Sequence, residues 1–157
     1  MSRQKITPCL WFDSDAEEAA KFYVSLFKNA KINSISRFGK EGFEFHQKPE
    51  GTVMTVAFEL DGMHFTALNG GPLYKFTEAI SMQVMCATQE EIDHFWNNLT
   101  QGGEESMCGW LKDRYGISWQ IIPEILPQLM SDPARAGRVT SAFLKMRKFD
   151  IAKLQEA

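Results

Sequence analysis

Residues 16–26, AEEAAKFYVSL, and residues 89–99, QEEIDHFWNNL, are two versions of one segment. Aligned, they pair Glu17 with Glu90, Glu18 with Glu91, Phe22 with Phe95, Tyr23 with Trp96 and Leu26 with Leu99. Both read as amphipathic helices. Ala19, Phe22, Tyr23, Leu26 and Phe27 fall on one face of the first, and Ile92, Phe95, Trp96 and Leu99 on one face of the second. Each has a helix-start signal with capping-box spacing, Asp15 with Glu18 and Thr88 with Glu91.

Working outward, the flanks repeat as well. A short apolar run precedes each helix, Ile6 to Phe12 and Ile80 to Cys86. After the first helix come Ile32–Phe38, Thr52–Leu60 and Met63–Leu68, the last two joined by an Asp61-Gly62 hairpin turn. After the second come Glu105–Gly109, Trp110–Arg114 and Ile117–Ile122, turning at Tyr115-Gly116. This order predicts an α+β fold of two βαβββ modules in a single domain over residues 1–157, the modules covering about 4–70 and 78–124. A helical tail follows over about 131–157. Ser131-Asp132-Pro133 is a cap with proline in the first turn, and it predicts a helix from there to about Lys148. Val139, Phe143 and Met146 would form its apolar stripe.

Composition narrows the classes of function. The chain has 157 residues, 44% hydrophobic and 24% charged, which suits one domain with a full core. A net charge of −3 gives no general attraction to nucleic acid, whose binding depends on cationic side chains neutralising phosphates. No apolar run approaches the roughly 20 residues of a membrane-spanning helix. The three cysteines, Cys9, Cys86 and Cys108, do not form a disulfide framework, so a cytoplasmic location is expected.

The run LNGGP (Leu68 to Pro72), the helix QEEIDHFW and above all CGWLKDRYGISWQIIP (Cys108 to Pro123) resemble the PhnB-like group of the glyoxalase/bleomycin-resistance/dioxygenase, or vicinal oxygen chelate, superfamily. That group often carries a 3-demethylubiquinone-9 3-methyltransferase label. The resemblance spans about residues 4 to 155. It implies two βαβββ modules whose curved sheets enclose a cavity for a small organic molecule, and a homodimer. The label is not matched by the residues. A Rossmann-type methyltransferase needs a glycine-rich loop after its first strand. Here that strand leads into FDSDAEEAA, which has no glycine.

Metal-dependent members of the superfamily hold the ion through His or Glu on the first and last strand of each module. The resemblance maps these positions onto Thr7 or Pro8, Thr66, Ser81 or Gln83, and Gln120. The last falls where the family's glutamate would stand, within DRYGISWQ. None is a strong ligand for a divalent ion. The histidines do not supply one. His46 lies in the polar loop EFHQKPEG, and His94 sits on a polar helix face. His64 is on a strand and could face the cavity. No metal and no cofactor are expected.

The remaining candidates for binding a small molecule are Trp11, His64, Thr66, Asn69, Gln83, Cys108, Trp110 and Gln120. Indole rings offer flat apolar surface and amides fix orientation, a set suited to a flat, partly polar organic ligand. Trp96 reads as core. Of the neighbours Trp119 and Gln120 only one can face the cavity, because side chains alternate along a strand, and Gln120 holds the ligand position. No Cys–His pair or nucleophile elbow is visible. Two readings stay open: a module that binds a small organic molecule, or an enzyme acting on one, of isomerase, lyase or oxygenase type.

Overall fold

A computed structural model describes residues 4–157, which fall into two compact units parting between Lys75 and Phe76. The first unit contains β1 (Cys9–Phe12), α1 (Ala16–Leu26), β2 (Ala30–Arg37), the one-turn α2 (Phe43–His46), β3 (Val53–Leu60) and β4 (Met63–Asn69). Its sheet has the order β1-β4-β3-β2, with β1 parallel to β4 and the other pairs antiparallel. Asp61 and Gly62 both adopt positive φ, 47° and 80°, which gives the β3–β4 hairpin its two-residue turn.

The second unit repeats the pattern with β5 (Ser81–Cys86), α3 (Gln89–Leu99), β6 (Glu104–Glu105), β7 (Trp110–Lys112) and β8 (Ser118–Pro123). Its sheet runs β5-β8-β7-β6, again with one parallel pair, β5 with β8. Three helices close the chain: α4 (Leu126–Ser131), α5 (Pro133–Phe143) and α6 (Ile151–Glu156). The fold is therefore α+β, built from two βαβββ modules with helical additions.

Each helix covers one face of its own sheet. In the first module Ala19, Ala20, Tyr23 and Leu26 of α1 are buried, and so are Leu10, Phe12, Val56, Phe58, Phe65 and Ala67 of the sheet. Tyr23 stacks on Phe58, and Phe58 on Phe65. In the second module Ile92, Trp96 and Leu99 of α3 are buried, together with Leu111, Trp119 and Ile121. The alternation of side chains along each strand leaves a second face in each sheet that no helix of its own module covers.

The two helices start differently. In α3 Thr88 caps as expected, with the return bond one residue earlier than in a strict box: Thr88 Oγ1 accepts the Glu91 amide at 3.2 Å, and the Glu91 carboxylate accepts the Ala87 amide at 2.7 Å. In α1 the expected cap does not form. Asp15 has φ −100° and ψ 11°, outside the extended region from which a capping side chain reaches the first turn, and it makes no side-chain cap bond. Asn69 at the end of β4 takes that role instead, its Oδ1 accepting the Ala16 amide at 2.9 Å.

The tail is not one helix to Lys148. Helix α5 starts at the expected Asp132-Pro133 cap and stops at Phe143. Residues beyond it are drawn onto the turn before β7: the amides of Cys108 and Gly109 donate to the carbonyls of Met146 and Arg147, each at 2.8 Å. Met146 therefore lies off the helix. Phe149 is buried, edge-on to Phe143. Gly109 has φ 80°, and a Cβ there would stand 2.5 Å from the Phe149 ring, so only glycine admits this contact. The tail is also tied to α3. Gln89 bridges the Phe149 carbonyl and the Ile151 amide, and Lys148 pairs with Asp93 at 2.7 Å. Asp150 then caps α6 through the Lys153 amide.

Two smaller expectations also change. The strand expected over Glu105–Gly109 is only Glu104–Glu105, because Met107 to Trp110 form a tight turn with positive φ at Cys108 and Gly109. His46 belongs to the one-turn helix α2, packed against Phe38, and not to an irregular loop.

Candidate functional site

The open face of the second sheet carries the densest set of polar side chains. The register places Gln83, Gln120 and Trp110 side by side across β5, β8 and β7. One step along, Ser81, Ser118, Lys112 and Glu104 form a parallel row across β5, β8, β7 and β6. The rows are cross-linked. Gln120 Nε2 donates to Ser81 Oγ at 2.8 Å, and Gln83 Nε2 donates to Gln120 Oε1 at 3.3 Å. Trp119 points the other way: it is buried, and its indole N–H donates to Asp113 Oδ2 at 2.8 Å.

Asp113 explains much of the CGWLKDRYGISWQ segment. It is 2% exposed, and its other oxygen accepts the amides of Tyr115 and Ile117 at 2.9 and 3.0 Å. One carboxylate thus closes the β7–β8 turn and fixes the Trp119 ring, which sets the pleat that turns Gln120 to the open face. The sequence reading missed this residue. An Asp at the head of a Gly-containing turn was the available signal.

Beside the amides lies a cleft of about 160 Å3 lined by residues that include Glu78, Glu104, Trp110, Lys112 and Ser118. Lys112 Nζ meets Glu78 at 2.5 Å. The Glu78 carboxylate raises the Lys112 ammonium above its usual pKa, with Glu104 adding a smaller push, and Lys112 in turn lowers the Glu78 carboxyl.

The first module presents a simpler open face. The register sets Cys9, and not Thr7 or Pro8, opposite Thr66, with Ala57 on its other side. His64 pairs with Glu59 at 3.7 Å at the exposed end of β4, and its backbone amide is held by Gln4. Trp11 packs on the LNGGP run. Its indole N–H donates to the Gly71 carbonyl at 2.9 Å, and its ring meets Tyr74 edge-on. A Cβ on Gly70 would stand 2.2 Å from the Trp11 ring, so this approach requires glycine. Asn69 is 4% exposed and committed to the fold, since its amide nitrogen also donates to the Val53 carbonyl at 3.0 Å.

Cys108 sits in the turn clamped by the tail. Cys86 is a buried thiol. Burial first, then the carboxylates of Glu91 and Glu124, push its pKa up to about 12, so it is no nucleophile at neutral pH.

These donors do not fit a divalent metal. Gln120 Oε1, the atom that would ligate, already accepts Gln83, and its amide nitrogen is held by Ser81. Burial raises the pKa of the Cys9 thiol, which disfavours the thiolate a metal would need. Among the described residues no three of His, Cys, Asp and Glu are grouped so as to hold an ion. Nor is any helix among them long and apolar enough to cross a membrane.

Residues 4–122 match the model of a family described as 3-demethylubiquinone-9 3-methyltransferase. A PhnB protein from Bacillus cereus, named after the same methyltransferase, is 40% identical; the match covers 76% of this chain and 99% of that one, with a TM-score of 0.68. A Pseudomonas aeruginosa protein of 19% identity covers 78% of this chain and 98% of its own, with a TM-score of 0.62, and shares the fold. No curated protein matches the chain.

Proposed function

Since the chain belongs to the 3-demethylubiquinone-9 3-methyltransferase family, the PhnB-like branch of the glyoxalase superfamily, we propose that it binds a small organic molecule on the open faces of its sheets without a metal ion. One observation carries the reading. Gln120 and Ser81 or Gln83, the positions onto which the resemblance maps the superfamily's metal ligands in this module, are joined into a neutral hydrogen-bonded set next to Trp110. Such a set orients a polar group through amide donors and acceptors while an indole covers its apolar part. Thr66 and Trp11 give the first module a smaller version of the same face, and Cys108 and His64 stand at the margins.

The methyltransferase name is not part of this reading. A Rossmann-type methyltransferase binds its cofactor at the carboxyl ends of parallel strands, next to a glycine-rich turn that opens a helix. Each sheet here has one parallel pair only, and the turns leading into α1 and α3 have no glycine. The alternative, an enzyme of isomerase, lyase or oxygenase type, needs an acid or base beside the amide set, and Lys112 with Glu78 is the pair available on this face. A cytoplasmic homodimer belongs to the same reading. The dimer is supported by the family resemblance and by the exposed Met63 and Met85, and the location by three cysteines that stay free.

The test is elemental analysis and native mass spectrometry of protein purified without an affinity tag. The expected result is no stoichiometric transition metal, and none taken up on titration with zinc, nickel or manganese. About one tightly held ion per chain, lost in Gln120→Ala, would return metal-dependent catalysis as the leading function.

A further inference from the structure

The cleft beside the amide set is lined in part by Ser118, whose hydroxyl the fold leaves unused. Ser118 is 1% exposed, and its Oγ has no hydrogen-bond partner among the described residues. A buried hydroxyl without a partner is uncommon and points to a group that arrives from outside. Ser118 lines the cleft and stands between Ser81 and Lys112 in the cross-strand row that ends at Glu104.

The charges around it decide what that group is. The lining includes three carboxylates, Glu78, Glu104 and Glu105, and one ammonium, Lys112. Glu78 is engaged by Lys112 at 2.5 Å. Glu105 accepts the Trp96 indole N–H at 3.1 Å and lies 3.8 Å from Arg147. The Glu104 carboxylate makes no hydrogen bond or ion pair among the described residues, and the ammonium that feels its charge, Lys112, is the one already bound by Glu78. Lys112 is thus already neutralised, and a negative charge is left over. An anion would meet Glu104 with no free cation to offset it. A cation would meet Glu104 as its counter-charge, Ser118 Oγ as a second acceptor, and the Trp110 indole beside them as an apolar and cation-attracting surface. At about 160 Å3 the cleft lies below the roughly 300–1,000 Å3 of whole ligand pockets, so it suits one functional group of a ligand.

We propose that this cleft is a subsite for a primary ammonium group, held by the Glu104 carboxylate and the Ser118 hydroxyl with Trp110 alongside. It rests on the reading above that the open face of the second sheet binds a small organic molecule, and it assigns that molecule a cationic end.

The experiment is a nitrogen-15 NMR titration of the whole chain with propylammonium, propionamide and propionate, matched in size and differing in charge. Propylammonium is expected to move the Ser118 amide and Trp110 indole resonances in a saturable way at millimolar to tens of millimolar concentration. Propionamide should bind more weakly, and propionate should leave both signals in place. Glu104→Gln is an exposed, conservative change whose spectrum reports its own folding, and it should weaken propylammonium about tenfold. Ser118→Ala should weaken it as well, while Glu44→Gln, at an exposed carboxylate of α2 that does not line the cleft, should leave it within about twofold. Tighter binding of propionate, equal binding in Glu104→Gln, loss of binding in Glu44→Gln, or no movement with any probe would overturn the subsite. If propylammonium behaves as expected but neutral ligands never reach Gln83 and Gln120, the subsite stands and the wider binding function fails.

Discussion

The first module begins its helix with a side chain borrowed from its last strand, whereas the second begins it with its own sequence. Asn69 on β4 caps α1, and Thr88 with Glu91 caps α3. The registers explain the exchange. Phe12 lies opposite Asn69, and Cys86, the corresponding buried strand end, lies opposite Pro123, which has no side-chain donor or acceptor. The link from strand to helix is also a residue longer in the first module, which takes Asp15 out of capping geometry. The open faces diverge in the same way. Cys9, Thr66 and Ala57 form a row of small side chains where Gln83, Gln120 and Trp110 form a row of large, hydrogen-bonding ones. His64 with Glu59 stands exposed where Ser118 with Lys112 stands beside a cleft. One topology has thus been used twice, with the recognition chemistry gathered in the second copy.

Substitution at the two caps sharpens this comparison most. Asn69→Ala removes the acceptor of the Ala16 amide and the donor to the Val53 carbonyl, leaving two buried backbone groups unsatisfied. It should cost about 3 kcal/mol of stability. Thr88→Ala removes one cap bond at an exposed position and should cost about 1 kcal/mol. Urea denaturation of the two variants measures the difference. Equal losses would mean that the first helix does not depend on its borrowed cap.

A smaller effect of opposite sign is expected on the open face. Ser118→Ala removes a buried hydroxyl that has no partner and should raise the stability of the unliganded chain by about 1 kcal/mol. A loss of stability would show that the Ser118 hydroxyl is satisfied within the fold.

What the sequence made legible follows from the range of the interactions involved. The repeated helices, the hairpin turns at Asp61-Gly62 and Tyr115-Gly116 and the Thr88–Glu91 cap are local, and local pattern expressed them. Strand alternation admits only one of Trp119 and Gln120 on the open face, and the family resemblance, not the local pattern, selected Gln120. The Asn69 cap joins residues 53 apart in the chain, and nothing near Ala16 announces it. The tail was misread for a related reason. Residues 144–149 have helix-compatible side chains, but the turn at Cys108-Gly109 captures the Met146 and Arg147 carbonyls, a competition invisible to a periodicity argument. Cys9 was overlooked opposite Thr66 because register is set by long-range pairing.

The central claim is that the second module's open face receives an organic ligand through neutral donors and acceptors. A crystallographic soak of the intact protein with a panel of small organic fragments tests it most directly. The account predicts fragments hydrogen-bonded to Gln83, Gln120 or Ser81 and lying against Trp110, with no metal ion between them and the protein. Fragments confined to the first module, or a metal ion coordinated through Gln120 Oε1, would contradict it.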